Sequence, residues 1–194
     1  MRASTRVYFA TSSDSKFAEA ELVMAEFGVR LGRLRTKGKE LQSDDVALVA
    51  SAAAADLAST HRTPFFVEDT GLFVKSLAGF PGAYAAFVNR TIGPSGLLRL
   101  MAGYSERSAE FVGAVAYVEG SRRPRVFEGR LKGSISLRVR GGHGFGFDPV
   151  FVPEGMKRTL GELSLKEKCL VSHRSRALRA FGEWLVSRKI RESL

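Results

Sequence analysis

One change of rhythm constrains this chain more than any other feature. Up to about Met101 apolar residues recur at helical spacings between short strand-like runs; from Ala109 to about Val139 they come in bursts (FVGAVAYV, RVFEG, GSISLRV) broken by Gly and Arg. The first rhythm belongs to helices packed on strands and the second to antiparallel strands joined by turns, so a mixed α/β protein is expected. Val7 to Ala10 reads as a strand and Ser15 to Phe27 as a helix, with Phe17, Ala20, Met24 and Phe27 on one face and Gly28 as its stop. A second helix is predicted from Asp44 to about Ser59 with Ser43 as its cap, then a strand from Phe65 to Glu68 that Gly71 brings to an end. A short helix after Pro94, a glycine-rich turn at Gly141 to Gly146, a strand from Pro149 to Val152 and a helix from His173 to Lys189 complete the pattern.

No linker, repeat or low-complexity stretch divides the 194 residues, so one domain over residues 1–194 is expected, and 44% apolar residues with 14 Phe suffice for a sizeable core. The lone Cys169 excludes an intrachain disulfide and suits a reducing cytoplasm. Neither a signal-peptide core nor a run of roughly 18 apolar residues occurs, so no membrane association is expected. The net charge of +10 is unevenly spread: residues 1–120 carry 13 Lys+Arg against 13 Asp+Glu, and residues 121–194 carry 17 against 7. Such a basic third suits an anionic ligand, such as a nucleotide's phosphates or a nucleic acid, or else solvated helix faces.

Four stretches carry chemistry. In ATSSDSK, Ala10 to Lys16, a hydroxyl-rich turn opens a helix, so free N–H groups, the helix dipole and Lys16 would meet an anion there; the alternative is an ordinary helix cap. In VEDTGLF the adjacent Glu68 and Asp69 either start a turn or, with Glu40 upstream, supply oxygen ligands for a divalent cation. Successive strand residues point to opposite faces, so both acids reach one ion only if the strand ends beside them. HGFGFDP, His143 to Pro149, offers Phe rings between glycines, suited to base stacking or to packing at a sheet edge. KEKCLVSHRSRAL places Lys168, Ser172, His173 and Arg174 around a helix start. Zinc-hydrolase and serine-hydrolase motifs are absent.

Taken in order, these stretches resemble the inosine triphosphate pyrophosphatase (Ham1-like) family from about Val7 to Trp184. The resemblance implies a two-lobed α/β fold around a long twisted mixed sheet, with the active site in the cleft between lobes. It further implies a homodimer, a Mg2+ requirement, and hydrolysis of ITP, dITP and XTP to the monophosphate and pyrophosphate, a clearing of non-standard purines from the nucleotide pool; the acids Glu40, Glu68 and Asp69 would repel a nucleic-acid backbone, so no nucleic-acid partner is expected. By that resemblance Thr11, Ser12, Ser13, Asp14, Ser15 and Lys16 hold the triphosphate, and Glu40 and Asp69 hold metal with Glu68 beside them. Asp69 is the general base, and Thr70 lies against substrate. Phe145, Gly146, Phe147 and Asp148 form the base pocket, with Phe145 as the stacking ring, and Lys168, Ser172, His173 and Arg174 complete the site. Two departures stand out. Ser13 and Asp14 replace the usual Asn and its neighbour, and Ala52 to Ala55 occupy the stretch where many relatives carry a phosphate-directed lysine, a role Arg90 could take.

Overall fold

The structure, a computed structural model, describes residues 6–39, 41–120 and 123–192. Strand β1 (Arg6–Ala10) turns into helix α1 (Asp14–Ala25), and β2 (Arg30–Leu34) returns parallel to β1. Helix α2 (Val46–Ala58) follows, then β3 (Phe65–Val74), the short β4 (Pro81–Gly82), α3 (Ala85–Thr91) and α4 (Gly93–Leu100). Two eleven-residue strands, β5 (Ser108–Val118) and β6 (Arg125–Ile135), form the meander that the sequence announces. The chain ends with β7 (Phe151–Pro153), α5 (Leu165–Val171) and α6 (His173–Glu192). The strands lie in the order β2-β1-β3-β5-β6-β7, with β4 on β3, so parallel and antiparallel pairings share one open sheet.

Three apolar clusters explain the two lobes. On one face, Phe9, Phe66, Val115 and Tyr117 pack against Ala20, Val23 and Met24 of α1 and against Ala177, Leu178 and Phe181 of α6. Phe9 stacks on Phe66 with centroids 4.5 Å apart, and Phe66 meets Phe181 at 5.3 Å, geometries worth about 0.5–1.5 kcal/mol each beyond their burial. On the other face α2 sets Val46, Ala50, Ala54 and Leu57 against Phe65, Val67 and Ala114. The far ends of β3, β5 and β6 carry the second lobe, in which Leu72, Phe111 and Leu131 meet Val88, Leu97, Met101 and Phe151.

Two local expectations are corrected. The cap of α2 is Asp45, whose carboxylate accepts from the amides of Ala47 and Leu48; Ser43 accepts only from the Asp45 amide outside the helix. And β3 does not stop at Gly71. That glycine sits within the strand because a side chain there would strike Phe73 and Val46, at 2.7 and 2.8 Å.

Candidate active site

The gap that makes the site follows from strand pairing. β1 accompanies β3 only as far as Phe66, and β4 joins the same edge only at Leu72. Between them residues 67–70 of β3 border a cavity of about 350 Å³ instead of a strand. Its walls come from both lobes: the turn after β1, Val49, Ala50 and Ala53 of α2, Asn89 and Arg90 of α3, the 145–148 loop and the start of α6. Glu68 and Asp69 therefore both line it while facing opposite sides of the sheet. The strand continues; its neighbour ends.

The start of α6 reaches this edge because two glycines face each other across β5 and β6. Gly113 pairs with Gly129, and a side chain on Gly129 would lie 2.1 Å from the His173 carbonyl. In the space left open, His173 stacks on Phe111 with centroids 4.5 Å apart, and Arg174 descends, 2% exposed, onto β3. Arg174 Nε lies 3.1 Å from Glu68 Oε1, its Nη1 donates to Glu19 Oε2 at 2.9 Å, and its Nη2 donates to Thr70 Oγ1 at 3.2 Å. Thr70 in turn donates to Glu68 Oε1 at 2.5 Å, and Lys16 Nζ lies 2.9 Å from Glu68 Oε2. On the other side Lys168 Nζ bridges Glu19 (2.5 Å) and Asp148 (2.7 Å), while Asp148 accepts the Phe145 amide at 2.8 Å. Gly144, at φ 76°, permits that loop, since a side chain there would meet the Asp148 carboxylate at 2.3 Å.

The result is an alternating chain, Asp148, Lys168, Glu19, Arg174, Glu68, Lys16, buried up to the half-buried Lys16 at its end, in which three acids offset three bases. Burial opposes charge on Glu68, yet Arg174 and Lys16 outweigh it and hold its carboxyl far below the usual range. The same contest, settled by Arg174 and Lys168, lowers Glu19. At Asp148 burial prevails over Lys168 and raises the pKa, and burial followed by the Arg174 charge keeps His173 well below its ordinary value, a neutral imidazole. Phe145 lies against this chain, with Lys168 Nζ 4.4 Å and Arg174 Cζ 5.1 Å from its ring centroid.

A helix start beside a polar turn, a carboxylate edge and an aromatic ring backed by two cations thus share one cavity. A sequence model of the Ham1 family matches residues 7–184. The chain belongs to the Ham1 family. It is 44% identical over 179 residues to a dITP/XTP pyrophosphatase of Methanopyrus kandleri, covering 92% of this chain and 95% of that protein. It is also 44% identical to a dITP/XTP pyrophosphatase of Thermococcus kodakarensis over 93% of this chain and 97% of the relative. Among solved structures, a nucleoside-triphosphatase/dITP/XTP pyrophosphatase from Mycobacterium abscessus superposes with a TM-score of 0.70 at 33% identity, covering 91% of this chain and 98% of that one. The Ham1 protein of Staphylococcus aureus shares the fold, with a TM-score of 0.81 over 94% of this chain and 99% of its own at 23% identity.

Within this Ham1-family chain the cavity is lined by Thr11, Ser12, Ser13, Lys16, Glu68, Asp69, Thr70, Phe145, Gly146, Phe147, Asp148, His173 and Arg174. Four other expected substrate contacts are not in its wall. Asp14 turns outward, its carboxylate 80% exposed and bound to Arg33, and Ser15 is exposed behind it. Lys168 is buried in the ionic chain, behind Asp148 and Phe145. Ser172 bonds within its own helix start, Oγ 2.8 Å from Ser175 Oγ and accepting the Ser175 amide. Ser13 also serves as the α1 cap, accepting from the Lys16 amide, and Phe147 gives most of its ring to the core of the far lobe.

For a metal, Glu68 and Asp69 are the expected ligands among the described residues. Glu68 is taken up by Lys16, Arg174 and Thr70 and does not suit an ion, and Glu40 lies outside the described residues. Among the described residues no three His, Cys, Asp or Glu side chains cluster as a cage. Asp69 in the cavity wall still fits a hard cation that takes one or two carboxylates and completes its shell with water and phosphate oxygens. Sequence reasoning overlooked Glu19, fully buried at the centre of the ionic chain. Its signal was an acid one turn beyond Lys16, adjoining the apolar stripe of Ala20 and Val23.

Proposed function

We propose that this chain is a nucleoside triphosphate pyrophosphohydrolase for non-standard purine nucleotides (dITP, ITP and XTP), releasing the monophosphate and pyrophosphate. The observation that carries the reading is the joining, in one cavity, of the phosphate-type turn at 11–16 and the Phe145 ring beside Arg174. Relatives of about 44% identity bear the name dITP/XTP pyrophosphatase, which supports it. The amide of Ser12, in the cavity wall, has no acceptor among the described residues, and the free amides of Asp14 and Ser15 make the positive end of α1 behind it, so the turn suits phosphate oxygens.

Asp69 takes a proton from a water whose oxygen bonds to phosphorus, and the α–β bridge breaks as pyrophosphate leaves. Bound Mg2+, held by Asp69 with phosphate oxygens, would neutralise charge on the triphosphate. At the other end Arg174 keeps one hydrogen on each terminal nitrogen after serving Glu19 and Thr70. A pure donor there suits a 6-carbonyl and opposes the 6-amine of adenine. No described helix is long and apolar enough to cross a membrane, and a cytoplasmic homodimer agrees with the family resemblance.

With magnesium, purified protein is expected to release pyrophosphate from dITP, ITP and XTP at least about a hundredfold faster than from ATP, measured as kcat/KM over a nucleotide panel. Equal rates on all of them overturn the specificity, and no release from any overturns the activity. Arg90 lines the cavity across from the alanines of α2, with no carboxylate of the described residues in ion-pair range. Arg90→Ala is therefore expected to raise KM for dITP about three- to tenfold with kcat little changed, the pattern of lost uniform binding.

A further inference from the structure

We propose that Arg33 is the positioning residue of the triphosphate turn; the inference rests on the pyrophosphohydrolase reading above. Residues 11–16 read TSSDSK, without a glycine to shape the turn and with an acid in the first helical position. Something outside the turn must fix its form and offset Asp14. Two successive residues of β2 do both. The Thr11 amide donates to the Leu34 carbonyl at 2.9 Å, and Arg33 Nε donates to the Thr11 carbonyl at 3.1 Å, so both backbone groups of Thr11 are held from β2. Thr11 Oγ1 is then turned back to accept the Ser13 amide at 3.1 Å. Arg33 Nη1 binds Asp14 Oδ1 at 2.5 Å, and its guanidinium lies 5.2 Å from the Phe17 ring centroid, which anchors it to the first turn of α1.

The two arms of this arginine differ in consequence. Asp14 is 80% exposed, and exposed ion pairs contribute little to stability, so that arm acts on charge: with Arg35, whose Nη2 lies 3.5 Å from the same oxygen, it balances a carboxylate next to the phosphate turn. The arm to Thr11 comes from a side chain only 15% exposed and fixes backbone geometry. Together they hold the turn so that the Ser12 amide and the positive end of α1 face an anion in the cavity. Lysine cannot replace this, because one ammonium cannot hold a carbonyl, a carboxylate and a ring face in a fixed fork.

The test compares wild type, Arg33→Ala, Arg33→Lys and Asp14→Ala by dITP kinetics with magnesium and by calorimetric binding of inorganic tripolyphosphate. Arg33→Ala is expected to raise both KM and the tripolyphosphate Kd by about tenfold with kcat within about threefold, and Arg33→Lys to follow it rather than wild type. Asp14→Ala, which leaves the Arg33 charge unopposed, is expected to tighten tripolyphosphate binding. A merely structural role would lower the melting temperature and leave KM and Kd of the folded protein unmoved; that result, in either Arg33 variant, overturns the inference. Should Arg33→Ala not fold, Arg33→Lys decides alone. A wild type that binds tripolyphosphate but releases no pyrophosphate from dITP overturns the pyrophosphohydrolase reading instead, and the Kd comparison still judges Arg33.

Discussion

Asp69→Asn is expected to lower kcat for dITP by about a hundred- to ten-thousandfold, or about 2.7–5.5 kcal/mol of transition-state stabilisation, while nucleotide affinity falls far less. Three carboxylates of the described residues line the cavity, and geometry separates them. Glu68 is clamped between Lys16 and Arg174, and a carboxylate held so far below its usual pKa is a poor proton acceptor. Asp148 spends one oxygen on Lys168 and the Phe145 amide at the base end of the cavity. Asp69 stands on the sheet's other face, away from the ionic chain, on the strand edge opposite the phosphate turn. Asparagine keeps its shape and removes its basicity. Steady-state pyrophosphate release gives kcat, and calorimetry with a non-hydrolysable dITP analogue gives affinity. Unchanged turnover would remove Asp69 as the base. An affinity loss as large as the turnover loss would make it a binding group only.

The sequence showed some of this directly and hid the rest for identifiable reasons. α1, α2 and α6 announced themselves by an apolar stripe, because each packs one face on the sheet. β2 reads RLGRL, an edge strand whose arginines interrupt the apolar pattern; Arg33 is there for the turn beside it rather than for the core. In sequence β3 looks short because glycine usually weakens a strand, whereas Gly71 is required by its neighbours Phe73 and Val46. Charge was legible in amount and not in pairing. The basic excess of the last third is partly consumed by acids of the first two, through Arg174 to Glu19 and Glu68, Arg179 to Glu26 and Arg188 to Glu119. Those partners stand 69 to 155 residues apart, a separation that no local pattern registers.

Replacing Arg174 is expected to have the largest effect on the fold and to invert its acid response. Arg174→Ala leaves Glu19 and Glu68 buried with only Lys168 and Lys16, and losing one partner of a buried pair costs about 3–5 kcal/mol. In wild type both acids have folded pKa values below their ordinary 4.5. Their contribution is therefore complete above about pH 4.5 and is lost as pH falls through the lower folded values. Without the guanidinium, burial becomes the dominant influence and raises both acids, so the variant gains stability as falling pH protonates them. Melting temperatures followed from pH 7.5 to 4.5 are expected to converge, the gap between wild type and Arg174→Ala being widest at neutral pH. Adding Glu19→Gln to Arg174→Ala should recover part of the loss at pH 7.5, since it removes one of the orphaned charges. A gap that stays constant with pH, or a double variant less stable than the single one, would show that Arg174 supports the fold by packing rather than by holding the two acids ionised.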